Sequence, residues 1–368
     1  MAYDEKKIVS VLRAFERGEI IVVTDDDDRE NEGDLIVAAV HCTEEKMAFI
    51  IRHTTGIVCA PMAKEEAERF HLVPMVSDNN SAHRTQFTVT VDFKHGTTTG
   101  ISAHDRTLAV RNLANSNAGP NDFIRPGHIF PLIANEGGVL MRSGHTEAAV
   151  DLCKLVGLPP VGVIGELVND DGTVKHGDEI TKFARDHQLH RITVADLIAY
   201  RQRREILIRC VGEMPLETSV GSTFVKSYQL PWEAVQHIAI IFGDISDGEN
   251  IPVCLHHENI LSGIFEQSSD VTLIMQRMME KEKRGVFVYL REESVGIQSA
   301  IGTQEMVREG LENHVQAIKR EEEWRQIGLG SQILRHLGIR SVIVYAPKEH
   351  YCVGLESFGI RISRTDTL

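Results

Sequence analysis

No Cys-x-x-Cys pair occurs anywhere in the 368 residues, and the six cysteines (Cys42, Cys59, Cys153, Cys210, Cys254 and Cys352) stand far apart. That spacing excludes the common zinc and disulfide frameworks and predicts buried thiols in a reduced, cytoplasmic setting. No run approaches the roughly 18 apolar residues of a membrane span. The start, Met-Ala-Tyr-Asp-Glu-Lys-Lys, lacks the apolar stretch of a secretory signal. Positive charge is also in deficit. A net charge of −14 argues against a nucleic-acid partner, because neutralising phosphates takes clustered Lys and Arg. There is no internal repeat and no low-complexity segment beyond the charge runs. With 42% hydrophobic and 25% charged residues, the chain reads as a globular enzyme long enough for two domains, each with its own core.

Helices and strands alternate throughout, which predicts an α/β protein with mixed sheets. Ile8, Val11, Leu12 and Phe15 recur at helical spacing before Gly18. Strands are expected at 20–23, 35–39, 57–60, 129–133 and 161–167, and Phe87, Val89 and Val91 alternate as one half-buried strand. Thr43 reads as the cap of a helix reaching Arg52, and Ser102 with Asp105 as a capping box for a helix to Leu113. Further helices are predicted over 146–156 and 194–204. A domain boundary falls between 204 and 205. The second half, 205–368, restarts with strands at 206–210, 224–228, 237–242, 286–290 and 341–345 and helices at 271–283 and 332–337.

Residues 25–34 hold seven acidic side chains and one arginine between two apolar strands. A solvated hairpin tip would account for such a run taken alone. If extended, however, the run sends Glu30, Glu32 and Asp34 to one side. Hard oxygen ligands there suit Mg²⁺ or Mn²⁺, and Arg29 can grip a phosphate or carboxylate. Two more segments add to it. Arg142-Ser143-Gly144-His145-Thr146-Glu147 places an imidazole, as ligand or base, at a helix start capped by Thr146, whose N–H groups suit a phosphate. Arg125-Pro126-Gly127-His128 reads as a fixed turn presenting a second imidazole. A capped helix and a bystander histidine explain each segment singly. Together they supply a metal site, an anion site and an acid/base, the equipment for enolising a phosphorylated sugar.

At these motifs the chain resembles the 3,4-dihydroxy-2-butanone 4-phosphate synthase family over about its first 200 residues. The resemblance rests on Asp-Asp-Asp-Arg-Glu-Asn-Glu-Gly-Asp (26–34), Thr-Gly-Ile-Val-Cys (55–59), Phe-Thr-Val-Thr-Val-Asp (87–92), Thr-Thr-Gly-Ile-Ser-Ala-His-Asp-Arg (98–106), Arg-Pro-Gly-His-Ile-Phe-Pro-Leu (125–132) and Gly-His-Thr-Glu-Ala (144–148). It implies conversion of ribulose 5-phosphate to a four-carbon ketone phosphate and formate, with Mg²⁺ or Mn²⁺, two ions per site, in a homodimer. By the same resemblance Arg29 and Glu30 touch substrate and metal, and Asp34 meets sugar hydroxyls. His145 is a metal ligand, with phosphate contacts around Arg142, Ser143, Gly144 and Thr146. His128 and Glu166 are essential, and Glu32 is a further proton-transfer candidate. The rival reading from another class is a non-catalytic protein whose carboxylates bind cations or a partner.

From about 206 the chain resembles GTP cyclohydrolase II, through 286–293, 328–334 and 337–340. The family's zinc thiolates do not carry over: the corresponding stretch reads His256-His257-Glu258-Asn259, and no cysteine lies between Cys254 and Cys352. Its Glu-Gly-Arg-Gly reads Glu293-Ser294-Val295-Gly296, and its Asp-Tyr reads Arg325-Gln326-Ile327. The expectation is a domain that keeps the fold, binds no zinc and has lost the chemistry, with a bifunctional enzyme as the alternative.

Overall fold

The computed structural model describes residues 4–25, 31–81, 83–218, 220–257, 269–291, 326–346, 353–356 and 358–367. The chain divides into two units, Met1–Tyr200 and Arg201–Leu368. Among the described residues no helix is long and apolar enough to cross a membrane.

In the first unit α1 (Glu5–Glu16) starts at Asp4, whose side chain accepts from the Lys7 N–H, and buries Ile8, Val11, Leu12 and Phe15 as their spacing requires. β1 (Ile21–Thr24) and β2 (Gly33–Ala38) pair antiparallel, with Thr24 opposite Gly33. α2 (Glu44–His53) is capped by Thr43 as predicted. β3 (Cys59–Met62) and α3 (Lys64–Arg69) follow. The predicted single strand through 87–91 is two pieces, β4 (Gln86–Phe87) and β5 (Val91–Phe93). Both pair with one long strand, β6 (Phe123–Ile133), Phe87 opposite Leu132 and Val91 opposite Ile129. The offset between those registers is one residue, and that break splits the strand.

β6 also overturns the turn expected at Pro126-Gly127, since both lie inside an eleven-residue strand. The crossing with β5 is so close there that a Cβ on Gly127 would stand 2.0 Å from the Val91 carbonyl carbon. Glycine is needed for contact rather than for a turn. α4 (Ala103–Leu113) begins at Ser102, and α5 (His145–Leu155) at Gly144 rather than at Thr146. β7 (Gly162–Glu166), α6 (Gly177–Asp186), β8 (His190–Thr193) and α7 (Val194–Gln202) complete the unit. The sheet runs β4-β6-β3-β7-β2-β1-β8, with β5 alongside β6. Only β6 with β3 and β1 with β8 pair in parallel. One core spans the sheet and its helices, including Val22, Leu35, Val37, Met47, Ile50, Phe70 and Val163.

The second unit is also a mixed α/β sheet. Its strands are β9 (Arg209–Thr218), β10 (Gly221–Gln229), β11 (Gln236–Phe242), β12 (Ile251–His257), β13 (Gly285–Leu290), β14 (Ser341–Ala346) and β15 (Arg361–Thr367). They order as β15-β14-β12-β13-β11-β10-β9. Helix α8 (Ser269–Glu282) and helical residues 326–336, α9, accompany them. Leu35 is fully buried in β2, so Leu35→Ala should cost about 2–5 kcal/mol in urea unfolding followed by circular dichroism. A loss below about 1 kcal/mol would remove β2 from the core.

Candidate active site

Three of the predicted site residues, Asp34, Glu166 and His128, lie on strands of one sheet, on β2, β7 and β6. Register places Asp34 on β2 opposite Glu166 on β7, and Cys59 on β3 opposite Ile164 on β7 and Phe130 on β6. His128 lies two residues before Phe130 on the same strand. His145 enters from the first turn of α5, its Nδ1 3.7 Å from Oδ1 of Asp34, both side chains almost fully buried. The structure therefore brings Asp34, Glu166 and His145 to one end of the central strands, with His128 two strands away. Desolvation pushes the Cys59 thiol well above its ordinary range, and the Asp34 and Glu166 carboxylates add to that. Burial beside these carboxylates disfavours the thiolate form of Cys59.

The acidic run is clamped at its ends. Asp25 is buried; its Oδ1 accepts from the Glu32 N–H at 2.8 Å, and its own N–H reaches the Glu32 carbonyl at 3.3 Å. Asn31 has φ +53, so the expected alternation cannot be carried back through it from Asp34. Arg29 and Glu30 lie outside the described residues.

Arg142 was expected to meet a phosphate. Its Nη1 donates to Glu147 Oε2 at 2.7 Å and its Nη2 to the His83 carbonyl and to Thr85 Oγ1, at 3.0 and 3.1 Å. Glu147 Oε1 accepts from the Asn135 N–H. Glu147 is thus the buried counter-ion of Arg142. Ser143 is partly exposed, while Gly144 and Thr146 are buried around the start of α5. The N–H groups of that first turn remain suited to an anion.

His128 has a partner that sequence reasoning missed. Asp92 on β5 accepts from the His128 backbone N–H at 2.9 Å through Oδ1, and its Oδ2 lies 2.8 Å from Nδ1 of the ring. Asp92 closes one of the quoted motifs, and an acid ending an alternating strand was the available signal. Gly100, at φ +88, passes over this pair, and a Cβ there would stand 2.0 Å from Asp92 Oδ2 and 2.5 Å from His128 Nδ1. The loop bearing Gly100 hangs on Asp105. Its buried carboxylate accepts from the Thr98 N–H, the Thr98 hydroxyl and the Gly100 N–H at 3.1, 2.8 and 3.0 Å. Arg106, also buried, braces the same loop from the Ile101 and Gly56 carbonyls, both at 3.0 Å. Burial alone would raise the Asp105 pKa, but these donors outweigh it and hold it at about 2.

Among the described residues no three His, Cys, Asp or Glu side chains gather as a metal-ligand set. The buried imidazole of His145 beside the Asp34 carboxylate is nonetheless a suitable partial donor set. Mg²⁺ commonly takes one or two protein ligands and completes its shell with water and substrate oxygens.

Carboxylates on neighbouring strands, two imidazoles and an anion-suited helix start define an acid/base enzyme domain, followed here by a second α/β domain. The model of the 3,4-dihydroxy-2-butanone 4-phosphate synthase family matches residues 9–200, and that of GTP cyclohydrolase II matches residues 209–366. The chain is 44% identical to the Arabidopsis thaliana monofunctional riboflavin biosynthesis protein RIBA 2, covering 97% of this chain and 75% of that protein. The bifunctional RIBA 1 of the same plant is 42% identical, with 96% and 67% covered. Among solved structures, RibBX, a two-domain 3,4-dihydroxy-2-butanone 4-phosphate synthase from A. baumannii, superposes with a TM-score of 0.76 at 29% identity over 98% of this chain and 99% of that one. A 3,4-dihydroxy-2-butanone 4-phosphate synthase in complex with two magnesium ions is 47% identical, with a TM-score of 0.52, over 54% of this chain and 97% of its own. The chain belongs to the 3,4-dihydroxy-2-butanone 4-phosphate synthase family of riboflavin biosynthesis, in the form that carries a cyclohydrolase II-type domain behind it.

The stabilisation from Asp105 has a definite sign. A carboxylate depressed from 3.8 to about 2 stabilises the fold fully above its unfolded value, and that contribution is lost as pH falls toward 2. Asp105→Asn should therefore lose about 1–3 kcal/mol at neutral pH and should flatten the decline of stability below 3.8. Urea melts at a series of acid pH values read both effects.

Proposed function

We propose that the lyase reaction of this enzyme, ribulose 5-phosphate to 3,4-dihydroxy-2-butanone 4-phosphate and formate, runs at the β2–β7–α5 cluster. The observation that carries the reading is the convergence of Asp34, Glu166 and His145 from two strands and a helix start. Glu30 and His145 would hold a divalent ion, Mg²⁺ or Mn²⁺, with two ions per site; the relative solved in complex with two magnesium ions supports a divalent metal. Bound there, the metal supplies positive charge that lowers the cost of negative charge developing on substrate oxygens.

The chain's own groups do the remaining work. The first-turn N–H groups of α5, together with Ser143, Gly144 and Thr146, bind the phosphate, and Arg142 shapes that turn from beneath through Glu147. Asp34 orients the sugar hydroxyls, and Arg29 and Glu30 contact the substrate and its metal. His128, Glu166 and Glu32 move protons. Successive proton transfers at different carbons need more than one acid/base group, and these three supply them. The assembly is a cytoplasmic homodimer.

The second domain, 205–368, is proposed to carry no GTP hydrolysis. Asn259 stands where a zinc thiolate is needed. His256 stacks on Tyr289, with centroids 5.4 Å apart, and packs against Phe287, so an aromatic contact accounts for it. Glu258, Asn259, Glu293 to Gly296 and Arg325 lie outside the described residues. The two-domain relative named only as a synthase supports this reading, while the bifunctional relative keeps the alternative open to test.

Glu166→Gln, His128→Ala and His145→Ala should each lower formate release from ribulose 5-phosphate by about 10²–10⁴-fold. Unaltered turnover in all three would remove the chemistry from this cluster, and no formate release by the unmodified protein would return it to the non-catalytic class. Chelation with EDTA should abolish turnover and added Mg²⁺ restore it. Full-length protein supplied with zinc should consume no GTP; steady consumption would establish the bifunctional enzyme. Light scattering should give twice the 41.1 kDa chain mass for the homodimer.

A further inference from the structure

We infer that Asp92 is the positioning residue of the acid/base His128, and that Gly100 exists as the clearance the pair requires. The inference rests on the proton-transfer reading of His128. A carboxylate accepts hydrogen bonds, so its contact at 2.8 Å fixes the neutral ring as the Nδ1–H tautomer and leaves Nε2 for the substrate. The second oxygen of the same group takes the His128 backbone N–H at 2.9 Å. One carboxylate thereby holds both ends of the residue, which a contact with the ring alone would not do.

Exposure is graded to match. The Asp92 side chain is 10% exposed and that of His128 41%, so the pair is anchored inside and presents its imidazole outward. Roofing is equally specific. Any side chain at position 100 would overlap both partners, at 2.0 and 2.5 Å, and the loop is pinned in that place by Asp105 and Arg106. Nothing in these contacts concerns the metal-binding residues, so the pair works on proton transfer and not on substrate or ion affinity. Orientation by an outer partner of this kind is ordinarily worth about 10–100-fold.

The test uses the full chain and the formate assay. Asp92→Asn should lower kcat by about 10–100-fold and leave KM within about threefold, because binding groups are untouched. In a His128→Ala background the same change should have no further effect, since the group it positions is gone. Nitrogen-15 spectra of histidine-labelled wild type, assigned by the signal lost in His128→Ala, should give His128 as the Nδ1–H tautomer at about pH 8. This measurement needs no Asp92 variant, so it decides the matter even if Asp92→Asn does not fold. An Nε2–H tautomer overturns the inference, as does Asp92→Asn with kcat within threefold while His128→Ala is crippled. An added loss in the double variant also overturns it, since Asp92 would then act apart from His128. Wild-type rates in His128→Ala sink the reading of His128 itself.

Discussion

Burying a carboxylate costs several kcal/mol unless donors meet it, and a chain with a net charge of −14 cannot arrange its core without answering that cost repeatedly. The first unit does so mainly with backbone N–H groups. Asp25 takes that of Glu32, Asp92 that of His128, Asp105 those of Thr98 and Gly100, Glu147 that of Asn135, and Asp151 that of Val139. The bonds to Asp105, Glu147 and Asp151 fix loops or turns to helices, that to Asp92 ties β5 to β6, and that to Asp25 closes the loop after β1. Part of the acidic excess is thus the means by which segments around the site are held. Arg142 is drawn into the same system, which explains why its guanidinium faces Glu147 and the His83–Thr85 segment.

Local patterns carried the fold a long way. The spacing of Ile8, Val11, Leu12 and Phe15, and the caps Thr43 and Ser102, mark elements that form where expected, because caps and amphipathic faces are local properties. Pro126-Gly127 misled for a tertiary reason: the close crossing of β5, not a turn, demands glycine there. Helix α6 was missed because His176 and Gly177 do not announce a start. β12 was missed because Pro252 interrupts its apolar run. In the site, residue types pointed to His128, His145 and Asp34, and the family resemblance added Glu166. Asp92 escaped because its part is a contact with a segment 36 residues away, and Glu147 because its contacts with Arg142 and Asn135 depend on how the chain folds back onto the start of α5. Asp105 was read as half of a capping box. Ser102 does cap the helix, while the Asp105 carboxylate also serves the preceding loop.

The second unit has a mixed sheet of seven strands among the described residues, while its sequence departs from the cyclohydrolase II motifs at 256–259 and 293–296. β12, β13 and β14 form a parallel centre with buried Val253, Cys254, Phe287, Val288 and Val344. Fold retention needs only that apolar pattern, whereas zinc binding needs particular thiolates at particular positions. The two requirements are carried by different residues, so one can be lost without the other.

β7 has a paired neighbour on each side, β2 and β3, and ends on Glu166. Backbone amides so placed exchange with solvent water only through the rarest, largest openings of a domain. Glu166 is therefore carried on the slowest-opening part of the first unit, and thermal fluctuation at the sheet edges, β4 and β8, passes it by. The position of that carboxylate should persist nearly until the whole unit unfolds.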